Sequence, residues 1–164
     1  MDHLDWSRAP RTLDEAELSY RRPPDAPMLA IAFQRPTGRV EAFVQWHPGN
    51  VVEWAFEWAF LVPDHRRVET MEAITALNVI LHVGRFDYDV PNHRIVFRAF
   101  HVARDQAMSA AQVHFFISSG LFAFDNLYLP LQDVCLRDAN PLTAAYALQR
   151  VLEEQVEALV SSET

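Results

Sequence analysis

The sequence predicts an α+β protein with a five-stranded, mainly antiparallel sheet that carries helices on one face. The spacing of apolar residues alternates along the chain between about 3.6, as in helices, and 2, as in strands. Short turns join the first three strand segments, which makes them antiparallel neighbours. The chain has 164 residues, 50% of them hydrophobic, enough for one core. We therefore expect a single domain over residues 1–164, with residues 1–11 as an N-terminal arm and 141–160 as an additional C-terminal helix.

The first half of the chain predicts one helix and three strands. Thr12 and Glu15 fit a capping box that opens a helix reaching about Tyr20. Apolar runs at 28–34 and 40–46 then predict a hairpin. The third strand is predicted over Val51–Val62, where large apolar side chains occupy every even position. These side chains are Val52, Trp54, Phe56, Trp58, Phe60 and Val62.

A helix followed directly by a hairpin is predicted after residue 70. The helix core stripe is expected to end near Gly84, which we expect to supply a left-handed C-cap. Asn78 has a low helix propensity, so its amide is predicted to bond to the backbone leading into the Phe86 strand. The fifth strand is predicted over His93–Val102. The predicted stripe consists of Met71, Ile74, Leu77, Val79 and Leu81.

The last third of the chain predicts two helices. Ser109 and Gln112 fit a capping box for a helix that Pro130 is expected to end or kink. Asn140 as N-cap, with Pro141 at the first helical position, opens the final helix. One apolar side of that helix is a candidate for dimer or helix packing, and its members include Leu148, Leu152 and Leu159.

Charge and composition exclude several classes of protein. A net charge of -8 repels phosphate backbones, so direct nucleic-acid binding is disfavoured. The single cysteine, Cys135, lies in an apolar run and is predicted to be a buried hydrophobe. The N-terminus is acidic and no apolar run approaches the ~20 residues that span a bilayer. We therefore expect a cytoplasmic protein without membrane contact.

The sequence offers no catalytic or cofactor signature. Its four glycines are too scattered for a phosphate-binding loop, and a metal site would have to assemble purely in space. Asp87 and Asp89 share one strand face and could be paired acids, but a solvated edge is the favoured interpretation. Arg94 and Arg98, with Arg104 beyond them, could pair with acids across the sheet or form a small basic patch, and pairing is favoured. For Ser118-Ser119-Gly120, close packing is favoured over a nucleophile. We expect a protein that is not an enzyme and has no cofactor.

The aromatic third strand has two interpretations. In the first, its large side chains form the core beneath the helices. In the second, Trp54 and Trp58 are exposed and bind a partner protein, with Glu53 and Glu57 contributing charge at the rim. A single-stranded nucleic acid would need basic flanking residues instead. The interpretation as buried core is favoured over the interpretation as a docking surface.

The span from about Met71 to Asp138 resembles the YbjN family of bacterial proteins. The matching segments are the helix MEAITALN, the strands GRFDYD and RIVFRAF, and the helix ending in LFAFDNLYLPLQDV. This family is described as a candidate group of sensory-transduction or stress-response regulators. It is similar in fold to type III secretion chaperones, which are small acidic dimers that bind segments of other proteins without catalysis. The chain adds a final helix and an unusually aromatic third strand.

Three hypotheses about function follow. The favoured one is a noncatalytic homodimer that binds a client or regulated protein, chaperone-like or regulatory, in a stress response. The second is a regulator that reaches nucleic acid only through a basic DNA-binding protein. The third is a small enzyme. The dimer is expected through a helix or through unguarded strand edges at Val51–Val62 or His93–Val102, which carry no Lys.

Overall fold

A computed structural model of the protein describes residues 13–23, 28–103 and 108–162. It confirms the predicted α+β class and element order. The first helix, α1, is described at residues 13–15. A short 3₁₀ turn at Asp64–Arg66 precedes α2. The remaining elements are β1 (Met28–Arg35), β2 (Gly38–His47), β3 (Val51–Glu57), α2 (Arg67–Ile80), β4 (Arg85–Asp89), β5 (Arg94–Val102), α3 (Ala110–Leu136) and α4 (Thr143–Ser162).

The five strands form one antiparallel sheet in the order β1-β2-β3-β5-β4. Strands β3 and β5 are therefore interior neighbours, and the prediction that Val51–Val62 or His93–Val102 offers a free edge is wrong. The edges are β1 and β4. Part of the β1 edge is already paired, because the backbones of Arg21 and Ala30 exchange two hydrogen bonds of 2.8 and 2.9 Å.

Residue alternation divides the sheet into two unlike faces. The face toward the helices carries Val44, Trp54 and Ala99 in one cross-strand row, and Ala42, Phe56, Phe97 and Phe86 in the next. All seven side chains are buried. The opposite face, which we call the open face, carries Phe43, Ala55 and Arg98 in the corresponding row, followed by charged neighbours. The helices thus cover one face of the sheet, as predicted.

Helix α3 crosses the centre of the helix-covered face at very short range. A Cβ atom at Gly120 would lie 2.3 Å from the ring of Phe56, so only glycine permits this approach. On either side of this contact, Phe116 stacks on Trp54 with ring centroids 6.2 Å apart, and Phe124 meets Trp58 at 5.5 Å. These aromatic pairs fill the layer between sheet and helix.

Pro130 does not end α3, which continues to Leu136, so of the two predicted effects, an end or a kink, the end is wrong. Proline in a helix interior costs about 3 kcal/mol because its ring clashes with a carbonyl and one hydrogen bond is lost. Beyond it, however, Leu131, Val134 and Cys135 are all fully buried. Burying each large apolar side chain contributes about 1.5–3 kcal/mol, which offsets the proline.

The end of α3 is fixed by a buried arginine from the turn before α2. The Arg66 guanidinium donates to the carbonyl of Val134 at 3.1 and 2.7 Å and pairs with Asp138 at 3.0 Å. A cation at a helix C-terminus satisfies free carbonyls and complements the helix dipole. Helix α2 buries Thr70, Ala73, Ile74 and Leu77. Met71 and Val79 of the predicted stripe are exposed, because the packed side lies one position away from them.

Three other predicted boundaries, those of α1, β3 and α4, need correction, and one predicted cap is confirmed. Described helix α1 does not reach Tyr20, since Glu17 turns the chain with φ 56°; Thr12 lies outside the described residues. Strand β3 ends at Glu57, although Trp58, Phe60 and Val62 stay buried. The Ser109–Gln112 capping box is present. Asn140 accepts from the Leu142 N–H at 2.9 Å, but α4 begins at Thr143, so Asn140 and Pro141 belong to the turn before the helix and are not its N-cap and first helical position.

The junction between α2 and β4 depends on Asn78. Its Nδ2 donates to the Phe86 carbonyl at 2.9 Å, and its Oδ1 accepts from the Phe86 N–H at 2.7 Å, which confirms the predicted bonding to backbone. One side chain thereby satisfies two backbone groups on the edge strand β4, where another strand would otherwise pair. Gly84 has φ 72°, but α2 ends at Ile80, so Gly84 is part of the connecting turn and is not the helix cap.

We predict that Gly84→Ala destabilises the fold by about 2–4 kcal/mol, because a positive φ resists Ala and its Cβ would overlap neighbouring atoms. That Cβ would lie 2.4 Å from the Phe97 ring and 2.8 Å from the Arg98 carbonyl oxygen. Gly49→Ala is the matched control, since Gly49 has φ 81° but open space around its Cβ position. Urea unfolding should show a loss of about 1 kcal/mol for the control. Equal losses in the two variants would contradict the packing argument.

We also predict that Asn78→Ala lowers the free energy of unfolding by about 2 kcal/mol, because two Phe86 backbone groups lose their partner. Asn92→Ala is the control: the Asn92 side chain donates one hydrogen bond, to Asp89 at 2.8 Å, on an exposed turn. Chemical denaturation measures both. A similar small loss in each variant would show that Asn78 has no special role at the edge.

Candidate protein-binding surfaces

Trp54 and Trp58 lie in the core and do not form a docking surface. Their side chains are 0% and 1% exposed. Because side chains alternate along a strand, Trp54 points to the helices while Glu53 points to the open face. The tryptophans and glutamates proposed as one partner-binding set therefore lie on opposite faces of the sheet. The core interpretation of the aromatic strand is the one that the structure supports.

Glu53 is the centre of a charge network on the open face. It is only 6% exposed, yet its carboxylate contacts two partners. Oε1 accepts from the Arg98 guanidinium, and Oε2 lies 2.6 Å from Nε2 of His47. Arg98 also reaches Asp87 at 3.3 Å, and Arg94 pairs with Glu57 at 2.6 Å. This confirms that Arg94 and Arg98 pair with acids across the sheet; Arg104 lies outside the described residues.

Apolar side chains lie among these ion pairs. A cleft of ≈ 200 Å³ on the open face is lined by Met28, Phe43 and Ala55 together with Glu53, Glu57 and Arg98. Phe100, at the end of β5, is 47% exposed, and the Arg85 guanidinium lies 5.5 Å from its ring centroid. Exposed aromatics and arginines within a polar rim are the composition of protein interfaces. Glu53 and Glu57 thus lie on a surface suited to a partner, although not beside the tryptophans.

A second surface is an apolar groove between α3, α4 and the turn after α2. Its volume is ≈ 330 Å³. We call it the helix groove and define it by its principal apolar walls. These are Leu81, Val83, Phe115, Phe122, Leu148 and Leu152. Phe115 at its rim is exposed, so the groove is open to another molecule.

The final helix, α4, begins on the body of the protein and then leaves it. Leu148 is fully buried against α2 and α3, and Leu152 packs partly on the core, so these two of the three predicted positions do pack within the chain. Leu159 lies in α4, and its side chain is outside the described part. Residues 153–162, which we call the free end of α4, are exposed at every described side chain.

The residues weighed as catalytic or ligating have structural partners. Asp87 is paired with Arg85 and Arg98, and Asp89 accepts from Asn92, so each carboxylate has its own partner. Burial raises the pKa of the Cys135 thiol, which disfavours the reactive thiolate.

Gly120 serves the close packing described above, as favoured for the Ser118-Ser119-Gly120 segment. Within residues 13–23, 28–103 and 108–162, no group of three His, Cys, Asp or Glu side chains is placed to hold a metal ion.

The helix groove could not be predicted from the sequence. It forms where three separate segments meet, and its polar members follow no recognisable spacing; they are His82, Ser118, Ser119 and Gln155. One sequence feature did indicate a surface near the groove, because the apolar side of α4 continues into the free end of that helix. No helix in the described part of the chain is long and apolar enough to cross a membrane.

Comparison with known proteins is informative at the level of the fold. No family model and no curated protein sequence matches the chain. Among solved structures, the chain is similar to E. coli YbjN, whose structure is titled as that of a candidate transcription regulator. The TM-score is 0.53 at 10% sequence identity, over 93% of this chain and 94% of that one. The chain therefore has a YbjN-like fold, as the sequence resemblance implied.

We predict that Arg98→Met costs about 2–4 kcal/mol, because Glu53 would remain buried without its cation. The matched control is Arg94→Met, whose partner Glu57 is more exposed to solvent and should cost under about 1 kcal/mol. Thermal unfolding at neutral pH and low salt compares the two. Equal effects would mean that Glu53 is not dependent on Arg98.

Proposed function

We propose that this chain is a noncatalytic, cytoplasmic protein-binding protein that acts as a homodimer and binds a client or regulated protein, in the manner of a chaperone or regulator. The observation that carries this proposal is the open face of the sheet, where the helices leave Phe43, Ala55 and Phe100 accessible among ion pairs. Its cleft of ≈ 200 Å³ is smaller than the roughly 300–1,000 Å³ of most small-molecule sites, whereas a surface of mixed apolar and charged side chains suits a polypeptide.

The ion pairs favour recognition over chemistry. Arg98 and Asp87 neutralise each other while Glu53 is held by Arg98 and His47, so each charge has a fixed partner. Catalytic acids and bases need opposed environments that separate their pKa values. A paired surface instead provides oriented donors and acceptors around an apolar centre, which gives specificity to a protein contact.

The YbjN-like fold supports a regulatory role without naming a partner. The E. coli protein of this fold is titled a candidate transcription regulator. The present chain has a net charge of -8, which opposes direct contact with DNA. Regulation, including regulation in a stress response, would then proceed through another protein.

A second candidate function is association with nucleic-acid processing through a basic DNA-binding protein. The observation that favours it is the free end of α4, where Glu153, Glu154 and Glu157 are exposed and no Arg occurs in residues 151–162. Acidic surfaces steer basic partners at low ionic strength. This function predicts that changing the three glutamates to Gln releases a basic partner.

For the favoured function, we predict that Phe100→Asp abolishes retention of the partner by a tagged chain in extracts of its native cells. Phe100 is 47% exposed, so the change should leave the fold intact while placing a charge on the open face. Leu61→Asp is the matched control, because Leu61 is 56% exposed and lies in the loop after β3. Mass spectrometry identifies the retained proteins. Undiminished retention by the Phe100 variant would contradict the assignment of the open face.

A further inference from the structure

The outer edge of strand β1 is paired along one half and open along the other. Ala30 exchanges its backbone hydrogen bonds with Arg21, so its N–H and C=O point away from β2. Because the direction of these groups alternates along an antiparallel strand, those of Ala32 and Gln34 also point outward. Both residues are exposed, and no group in residues 13–23, 28–103 or 108–162 bonds to them at this edge. Four backbone groups are thus open to another strand.

The other edge of the sheet is better protected. On β4, the Asn78 side chain occupies both outward backbone groups of Phe86. Proteins guard edge strands with such contacts, with prolines or with charged side chains, lysines above all. Residues 31–35 of β1 contain no Pro and no Lys, and the charge of Arg35 is already paired with Asp125. An incoming strand would therefore meet less obstruction at β1.

The open half of β1 lies beside an excess of positive charge. Arg21 and Arg39 both pair with Glu41, at 3.2 and 2.7 Å, so two cations share one carboxylate. Their side chains are 60% and 61% exposed, which leaves guanidinium N–H groups available to a further acceptor. The chain as a whole has 22 acidic residues against 14 basic ones. A local positive site in an acidic protein favours a partner that carries carboxylates.

Strand pairing places these arginines within reach of a strand added at β1. Glu41 lies opposite Ala32 on the open face. Arg39 lies opposite Gln34 on the same face. Arg21 lies outside β1, on the line that an added strand would follow. The added residue beside Ala32 would be two positions along that line, about 7 Å from Arg21.

We propose that an extended acidic segment of the partner protein adds to the sheet as a strand beside Ala32 and Gln34. Backbone hydrogen bonds would provide affinity, and side-chain contacts would provide specificity. Carboxylates would lie on the open face near Arg21 and Arg39. Alternate apolar side chains would lie on the other face beside Phe33, which packs on the core. This inference rests on the proposed protein-binding function and names the chemistry of the bound segment.

A second copy of the chain fits this edge less well than an acidic segment does. Two β1 edges that paired directly would bring Arg21 and Arg39 of both copies to one surface. Like charges that face each other across strands are destabilising. Residues 28–35 contain no Asp or Glu, so the edge of a second copy would supply no carboxylate.

The first test measures binding of two labelled heptapeptides to the full-length chain by fluorescence anisotropy at low salt. One peptide alternates Glu and Val, and the other alternates Lys and Val. The Glu peptide should bind at least ~10-fold more tightly, because only its charges are opposite to those of the arginines. Arg21→Gln combined with Arg39→Gln should remove this preference. Arg137→Gln combined with Arg150→Gln is the matched control, since both arginines are exposed, paired with acids and outside the sheet.

The second test changes the backbone of the edge. Ala32→Pro removes one outward N–H and leaves the arginines in place, and proline is tolerated on an edge strand where its nitrogen faces solvent. Binding of the Glu peptide should weaken by ~10-fold, because a backbone hydrogen bond is lost and the strands fit less closely. Ala32→Thr, which keeps the N–H, is the control. Circular dichroism verifies that the variants are folded.

Hydrogen exchange of the unmodified chain gives a readout that does not depend on any variant. Bound Glu peptide should slow exchange of the Ala32 and Gln34 amides. A Glu peptide that fails to bind, or that binds equally well to the Ala32→Pro variant, would overturn strand addition. Slower exchange at these amides as the chain is concentrated without peptide would assign the edge to a second copy, and would also overturn it.

Retention of the partner protein separates this inference from the proposed function. If the Ala32→Pro variant retains the partner and the Phe100→Asp variant loses it, strand addition is overturned and the open face stands as the binding surface. If the Ala32→Pro variant loses the partner and the Phe100→Asp variant retains it, the open face is overturned and strand addition is supported.

Discussion

The contact between Gly120 of α3 and the ring of Phe56 in β3 sets the spacing of the whole structure. A side chain at residue 120 would overlap the ring, so the helix can approach the sheet this closely only at a glycine. The stacked pair Trp54–Phe116 and the pair Trp58–Phe124 lie on either side of it. The contact between Gly120 and Phe56 determines how closely the rings of these two aromatic pairs approach. Because interiors are close-packed, a change of spacing here would be felt along α3 and the central strands.

That packing explains why one sheet face is available for binding. The helices lie on the aromatic face, where burial of large side chains stabilises the fold. Among the described residues no helix covers the other face, where Arg98 and His47 contact the buried carboxylate of Glu53. Charges on the open face are therefore largely paired with opposite charges, whereas the free end of α4 exposes Glu153, Glu154 and Glu157, of which Glu154 pairs with Arg150 at 3.7 Å. The two surfaces consequently suit different kinds of contact.

Much of the fold followed from the sequence, because local periodicity reports which side of an element is buried. Alternation over β3 predicted both the strand and its aromatic core face, and Asn78 was predicted to bond backbone because its amide is unfavourable within a helix. The sequence was misleading where tertiary packing outweighed local preference. Pro130 is tolerated because buried residues follow it, and Met71 and Val79 match a helical spacing on a side that does not pack.

The candidate surfaces were predictable only in part. Pairing of Arg94 and Arg98 with acids followed from strand alternation, but the same alternation placed Trp54 and Glu53 on opposite faces, so they could not have formed one site. No local sequence pattern specifies the order of strands in a sheet. The prediction that β3 and β5 offer free edges is therefore wrong, since both strands are interior. The helix groove joins residues separated by some seventy positions, roughly from Leu81 to Leu152, a juxtaposition that only the folded chain creates.

The central claim is that this chain binds polypeptides, including a second copy of itself in a homodimer. Light scattering of the unmodified full-length chain across a micromolar concentration series tests it most directly. The account predicts a mass that approaches twice the 18.8 kDa of one chain as concentration rises. A constant mass of 18.8 kDa throughout the series would contradict it.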